Sequence, residues 1–214
     1  MTESTLYFVR HGETEYNRRR IMQGRRIDCS LNDTGRVQAK ALAARFADVP
    51  LDAIYSSNLA RAVETAGYVA AHHPEIPRVR FPGLDEMSWG IYEGEAESER
   101  LQRMLDEMYA HWERGAYDVQ VEEGESIYEV RDRALKAVES ILEAQQGKTV
   151  LIVSHGRLLR VLLASVLGGG LETMDDFHHA NTCVNVITHR SGRFEASLLN
   201  CTAHLAGVDS VLAN

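Results

Sequence analysis

Short apolar runs alternate with longer amphipathic stretches along this chain. Leu6–Val9, Ala53–Tyr55, Val150–Val153 and Cys183–Thr188 read as strands, and the first three are each followed by a helix signal. Strands separated by helices predict an α/β fold with a largely parallel sheet. Residues 33–47, 59–72, 99–113 and 157–167 read as helices, and Phe194–Leu199 as a last strand. The clearest helix is residues 126–145. There Ile127, Val130, Ala134, Val138, Ile141 and Leu142 recur at helical spacing, and Ser126 with Glu129 forms a capping box. Gly168-Gly169-Gly170 reads as a plain helix stop rather than a hinge. No repeat, low-complexity tract or linker divides the chain, so residues 1–214 are expected to form one domain.

Composition narrows the class. With 44% hydrophobic and 25% charged residues the chain is an ordinary globular one, large enough for a substantial core. A net charge of −8 lacks the basic footprint of a nucleic-acid binder, although a phosphate pocket needs only local cations. Cys29, Cys183 and Cys201 show no Cys-x-x-Cys spacing and cannot all pair within the chain, which suits a reduced, cytoplasmic setting. The first residues lack a basic-then-apolar leader, and no run reaches the ~18 apolar residues of a membrane span. Neither secretion nor membrane insertion is expected.

The candidate chemistry sits at strand ends. Arg10-His11-Gly12-Glu13-Thr14 follows the first apolar run, and Ser154-His155-Gly156 follows the third. Open α/β sheets gather their sites beyond the carboxyl ends of their strands, so these distant segments can share one pocket. A neutral imidazole, with an unperturbed pKa of ~6.5, is a nucleophile near neutral pH and suits attack on a phosphoryl group. Arginine forks match phosphate oxygens bidentately, and Arg10 stands beside the histidine. Ser56-Ser57-Asn58-Leu59-Ala60-Arg61 reads as a loop entering a helix, where Arg61 can reach the same cleft near an anion-favouring helix N-terminus. Taken alone, Arg61 reads as a solvated helix arginine. Asp85 and Glu86 lie among large apolar residues up to Gly94, and a partly buried carboxylate can hold a proton near neutrality for a leaving alcohol.

Together these residues resemble the histidine phosphatase superfamily, also called the phosphoglycerate mutase-like family, from about Leu6 to about Leu205. The resemblance rests on Arg10-His11-Gly12-Glu13-Thr14 with Asn17, Ser56-Ser57-x-x-x-Arg61-Ala62-x-x-Thr65-Ala66, Glu86 before Trp89-Gly90-x-x-Glu93-Gly94, and Ser154-His155-Gly156. It implies a three-layer α/β/α sandwich and transient phosphorylation of His11, with Arg10, Arg61 and His155 around the transferring group. Glu86 would protonate the departing alcohol and then activate water. Asn17, Gln23, Gly24 and the Gly156 amide match positions that line phosphate or substrate in relatives.

The family contains both phosphatases and mutases. Only 30 residues separate Glu93 from Gly124-Glu125-Ser126, whereas cofactor-dependent phosphoglycerate mutases usually carry a longer insertion with clustered cations. Here Arg100, Arg103 and Arg114 are scattered among Leu101, Met104, Leu105, Met108 and Trp112. Residues about 95–124 are therefore expected to be a helical insertion or lid, its apolar stripe packing rather than reading a ligand. The phosphatase branch is expected, specifically a metal-independent histidine acid-type phosphatase without cofactor, acting on a small phosphorylated metabolite. A cofactor-dependent phosphoglycerate mutase and a non-catalytic phosphate-ligand binding protein are the alternatives. No metal site is expected: His72-His73 and His178-His179 are adjacent pairs that do not share an element face, and they read as surface histidines. Glu122-Glu123-Gly124-Glu125 reads as a solvated loop. Ser30 and Arg157 depart from the common pattern, and Arg157 either adds a cation for a second acidic group or points to solvent. A homodimer stays open.

Overall fold

In the computed structural model, which describes residues 2–208, Glu3–Arg10 forms strand β1, flanked by β4 and β5 near the middle of a six-stranded sheet. The other strands are β2 (Ala53–Ser56), β3 (Arg78–Arg80), β4 (Thr149–Ser154), β5 (Val184–Arg190) and β6 (Arg193–Cys201). Their spatial order is β3-β2-β4-β1-β5-β6. The first four pair in parallel, and β5 and β6 add antiparallel strands at one edge. Helices are α1 (Glu15–Arg18), α2 (Asp33–Phe46), α3 (Ala60–Ala70), α4 (Glu99–Glu113), α5 (Ile127–Ala144) and α6 (Gly156–Val166).

The period-2 alternation of the strands sorts the core into two layers. Leu6, Phe8, Val150 and Ile152 pack with Val130 and Ile141 of α5 and Leu158 and Leu162 of α6. Val9, Leu151 and Val153 face the other way, onto Leu42 and Phe46 of α2 and Ala66 and Val69 of α3. Covered on both faces, β1, β2 and β4 carry continuous apolar stretches, which is why they stand out as runs in the sequence. β3 does not stand out. Its Arg78-Val79-Arg80 is exposed at every position and pairs only with β2, so it carries no apolar run. Ser126 caps α5 through the capping box with Glu129, and α6 stops just before Gly168, whose φ is +83°.

β1 and β4 lie side by side in parallel register, with Arg10 opposite Ser154. The His11 amide extends the ladder by donating to the Ser154 carbonyl at 3.0 Å. Just beyond, the chain passes the first turn of α2 at backbone contact. A Cβ on Gly35 would stand 2.0 Å from the Glu13 carbonyl oxygen, and one on Gly12 would stand 2.7 Å from the Gly35 carbonyl oxygen. Backbone cannot yield as a flexible side-chain tip can. Gly35→Ala is therefore expected to cost about 3 kcal/mol or more of stability, measured by denaturant unfolding. A loss below about 1 kcal/mol would show that the two segments separate easily.

Candidate active site

The His11 ring is fixed by its own backbone neighbourhood. Nδ1 lies 2.7 Å from the Gly12 carbonyl oxygen, which can only accept, so Nδ1 carries the proton and Nε2 is left with a bare lone pair. The Gly12 amide in turn donates to Thr65 Oγ1 at 3.0 Å, and Thr65 donates to the Arg61 carbonyl at 2.7 Å. The loop after β1 is thus bolted to α3.

His155 follows β4 as the N-cap of α6, and its ring centroid stands 5.1 Å from that of His11. Arg61 Nε faces His155 Nδ1 at 3.2 Å. Because arginine only donates, the His155 proton belongs on Nε2, a fully buried atom with no partner among the described residues. Arg61 itself is 0% exposed. Its other nitrogens donate to the Ile27 carbonyl at 2.8 Å and the Gly24 carbonyl at 3.1 Å. It is not the solvated helix arginine that its position alone suggests. Gln23 satisfies its neighbours with its nitrogen on Thr14 Oγ1 at 2.8 Å and its oxygen toward Arg61 Nε and Nη1. Arg10 donates from Nη1 to the His179 carbonyl at 2.7 Å, while its buried Nε has no partner. The buried guanidinium of Arg61 and the part-buried one of Arg10, both bonded to carbonyls, and the unpartnered N–H of His155 therefore stand around the His11 ring. That arrangement holds positive potential ready for an anion.

Glu86 reaches the same place from the loop after the 3-10 turn Pro82–Leu84. Its Oε1 accepts from the Met87 and Leu158 amides at 2.9 and 3.0 Å, and Oε2 from the Arg157 amide at 3.2 Å. The carboxylate thus serves as the missing cap of α6, whose N-cap His155 makes no side-chain cap bond. Of about four lone-pair sites on a carboxylate, one on Oε2 stays open. The loop is clamped from α5: Arg133 donates to the carbonyls of Gly83, Asp85 and Glu86 and pairs with Glu125 at 2.8 Å.

Above these groups opens a cleft of about 360 Å³. Arg10, Gln23, Glu86, Gly156, Asn17, Arg157, Arg160 and His179 line it together with the apolar Trp89, Leu101 and Leu105, whereas His11, Arg61 and His155 are not among its lining residues. Asn17 Oδ1 is held by the Thr14 amide at 3.2 Å, so its amide nitrogen is what remains to offer. Gly24 does not line the cleft. It supplies a carbonyl to Arg61 and lets the Glu93 carboxylate pack where a Cβ would be.

A model described as the histidine phosphatase superfamily (branch 1) matches residues 6–202. This chain belongs to that family. The phosphatase PhoE of Bacillus subtilis, described as uncharacterized, is 30% identical over 204 residues, covering 95% of this chain and 98% of that one. A Serratia proteamaculans protein named as probable phosphoglycerate mutase GpmB is 36% identical over 168 residues, covering 76% and 74%. The solved structure of Bacillus stearothermophilus YhfR superposes with a TM-score of 0.83 at 34% identity, covering 94% of this chain and 99% of that one.

Three readings of this histidine phosphatase change with its structure. Arg157 neither points to solvent nor stands free for a substrate: its guanidinium lies 5.1–5.7 Å from the rings of Trp89, Tyr109 and Trp112 and pairs with Asp175 at 2.7 Å. His179 is buried, not a surface histidine, because the chain dips to meet Arg10 before entering β5. Glu125 is no solvated loop residue either, since Arg133 and Arg25 both pair with it. His72 is exposed, and His73 bonds the Phe46 carbonyl at 2.8 Å. Among the described residues no group of three or more His, Cys, Asp or Glu side chains is arranged to hold a metal, and no helix is long and apolar enough to cross a membrane.

Burial, then the charges of Arg61 and Arg10, holds His11 well below its ordinary value of 6.5. Burial and Arg61 do the same to His155, and burial takes His179 to about 3. All three are neutral at pH 7. The unfolded chain protonates them near 6.5 while the native state does not, so the unfolded state binds more protons as pH falls below 6.5. Stability is full above that pH and is lost on acidification, by up to about 1.4 kcal/mol per pH unit for each histidine. Denaturant melts at pH 7.5, 6 and 5 measure it, and a flat profile would show that these rings charge in place.

Proposed function

We propose that this chain hydrolyses phosphomonoesters of small metabolites through a phosphohistidine on His11, without a metal. The observation that carries the reading is the His11 tautomer: a bare Nε2 stands beside buried, unpartnered donors of Arg10 and His155. Nε2 attacks phosphorus, and the ester oxygen leaves with its electron pair and takes a proton from Glu86. Arg10, Arg61 and His155 donate to the three non-bridging oxygens, where charge is concentrated in the transition state. Asn17, Gln23 and the Gly156 amide complete the phosphate cradle, and Gly24 acts through Arg61. In the second half-reaction Glu86 takes a proton from water, which displaces His11 and releases phosphate.

Residues 95–124, including α4, act as the lid. Arg100 and Arg103 support hydrolysis over mutase chemistry: both are largely exposed and pair with Glu95 and Glu99 of their own segment. The second reading, phosphoglycerate mutase, draws on the similarity to a protein so named. The deciding assay measures phosphate release from a panel of phosphomonoesters in excess chelator, beside interconversion of 3- and 2-phosphoglycerate with bisphosphoglycerate supplied. Release unaffected by the chelator is expected. Isomerisation with little release would make the chain a mutase, and loss of activity with chelator would overturn metal independence.

A further inference from the structure

Beside the phosphoryl pocket, the mechanism leaves one buried nitrogen unused. His179 is 7% exposed, lines the cleft, and its Nε2 has no hydrogen-bond partner among the described residues. The Cys183 sulfur stands 3.7 Å from Nδ1 and receives the Asn185 amide at 4.0 Å, so its S–H is free to point at Nδ1. Burial pushes that thiol up to about 11, which keeps the proton on it. With the S–H directed at Nδ1, Nδ1 accepts and Nε2 carries hydrogen. An N–H donor is thus fixed on the cleft wall, on the residue whose carbonyl holds Arg10.

A cation stands near it. Arg160 lines the same cleft one turn along α6, and its charge acts on both His179 and Arg10. Arg157 and Arg160 share one oxygen of Asp175, at 2.7 and 2.8 Å, so two guanidiniums face one carboxylate and a single positive charge is left over. The other charged pair at the mouth, Arg20 with Glu97 at 3.1 Å, cancels. One surplus charge and one neutral N–H match a carboxylate. A second phosphate dianion would bring two negative charges to a surplus of one.

We propose that His179 and Arg160 form a carboxylate subsite beside the phosphoryl pocket, so that the preferred substrates are phosphorylated carboxylic acids. The inference rests on the phosphatase reading only for the seat of the phosphoryl group. Its test reads binding instead of turnover, with probes whose C–P bond is not hydrolysed. Calorimetry compares methylphosphonate with phosphonoacetate, 3-phosphonopropionate and 4-phosphonobutyrate, which carry a carboxylate at increasing reach, and with methylenediphosphonate as the second-phosphate arm. The best carboxylate probe is expected to bind at least about tenfold tighter than methylphosphonate, and tighter than the diphosphonate. Arg160→Gln and His179→Phe should shrink that advantage to about twofold, while His179→Gln, which restores an N–H donor, should recover most of it. A ratio unchanged in Arg160→Gln and His179→Phe overturns the subsite and leaves the hydrolase reading standing. A diphosphonate that outbinds every carboxylate probe overturns the choice of carboxylate. Failure of every probe to bind overturns the subsite, and the phosphate release assay then decides separately whether the hydrolase reading survives.

Discussion

Replacing His11 by alanine is expected to reduce phosphate release by about 10⁴-fold or more, with little change in fold. The magnitude follows from the position of the ring. It alone brings a lone pair to phosphorus, and a deleted nucleophile is not replaced by its neighbours. Water would have to attack in its place, in a pocket whose remaining groups stabilise charge without supplying electrons. His155 cannot take over. Its Nδ1 is committed to Arg61 and its Nε2 carries the proton, so it has no lone pair to offer. Rapid quenching with a ³²P-labelled substrate checks the assignment directly: wild type should yield an alkali-stable, acid-labile label on the protein, and His11→Ala none. A label that persists in the variant would move the nucleophile elsewhere.

The second large effect is expected at Arg61, where activity and stability should fall together. Arg61→Ala removes a donor to the transferring oxygens, worth about 10²–10³ in turnover for a single preorganised group. It also strands the buried carbonyl of Gly24 and the part-buried carbonyl of Ile27, and frees the His155 tautomer. Each buried acceptor left unpaired costs about 1–3 kcal/mol. Arg61→Lys keeps the charge but cannot reproduce a fork that serves the two carbonyls and His155 at once, so it should recover part of the stability and little of the rate. Steady-state kinetics and thermal unfolding of both variants give the split. If Arg61→Lys restored the rate, charge alone would be sufficient and the fork geometry incidental. Because Arg61 and His155 act on one another, Arg61→Ala combined with His155→Ala should cost much less than the product of the two single losses.

The histidines of the two strand ends were legible because each follows an apolar run, and parallel strands buried on both faces must be apolar. Ser126 and Glu129 announced α5 for an equally local reason. What escaped was non-local. Nothing near Arg133 in sequence marks it as the clamp on three carbonyls some 50 residues earlier, since its helical period is that of any half-buried position. His179 lies in an irregular stretch before β5, where no periodicity tells buried from exposed, and only the turn of the chain toward Arg10 decides. The sequence marks Arg157 only by its charge, whereas three aromatic rings from two other segments determine where it lies. β3 is too short and too exposed to leave a pattern.

The parallel pairing of β1 with β4 has a consequence for how this protein is assembled. Two histidines far apart in sequence meet because β1 and β4 pair in register up to Arg10 and Ser154, and one hydrogen bond, from the His11 amide to the Ser154 carbonyl, continues that ladder. A slip of one residue would turn alternate side chains to the opposite face, sending one of the two rings out of the pocket while most of the backbone pairing survived. Such a species would look folded by circular dichroism and would be inert. Recovery of turnover after dilution from denaturant therefore reports strand alignment itself, and any lag between regained secondary structure and regained activity measures the time the chain spends searching among misaligned sheets.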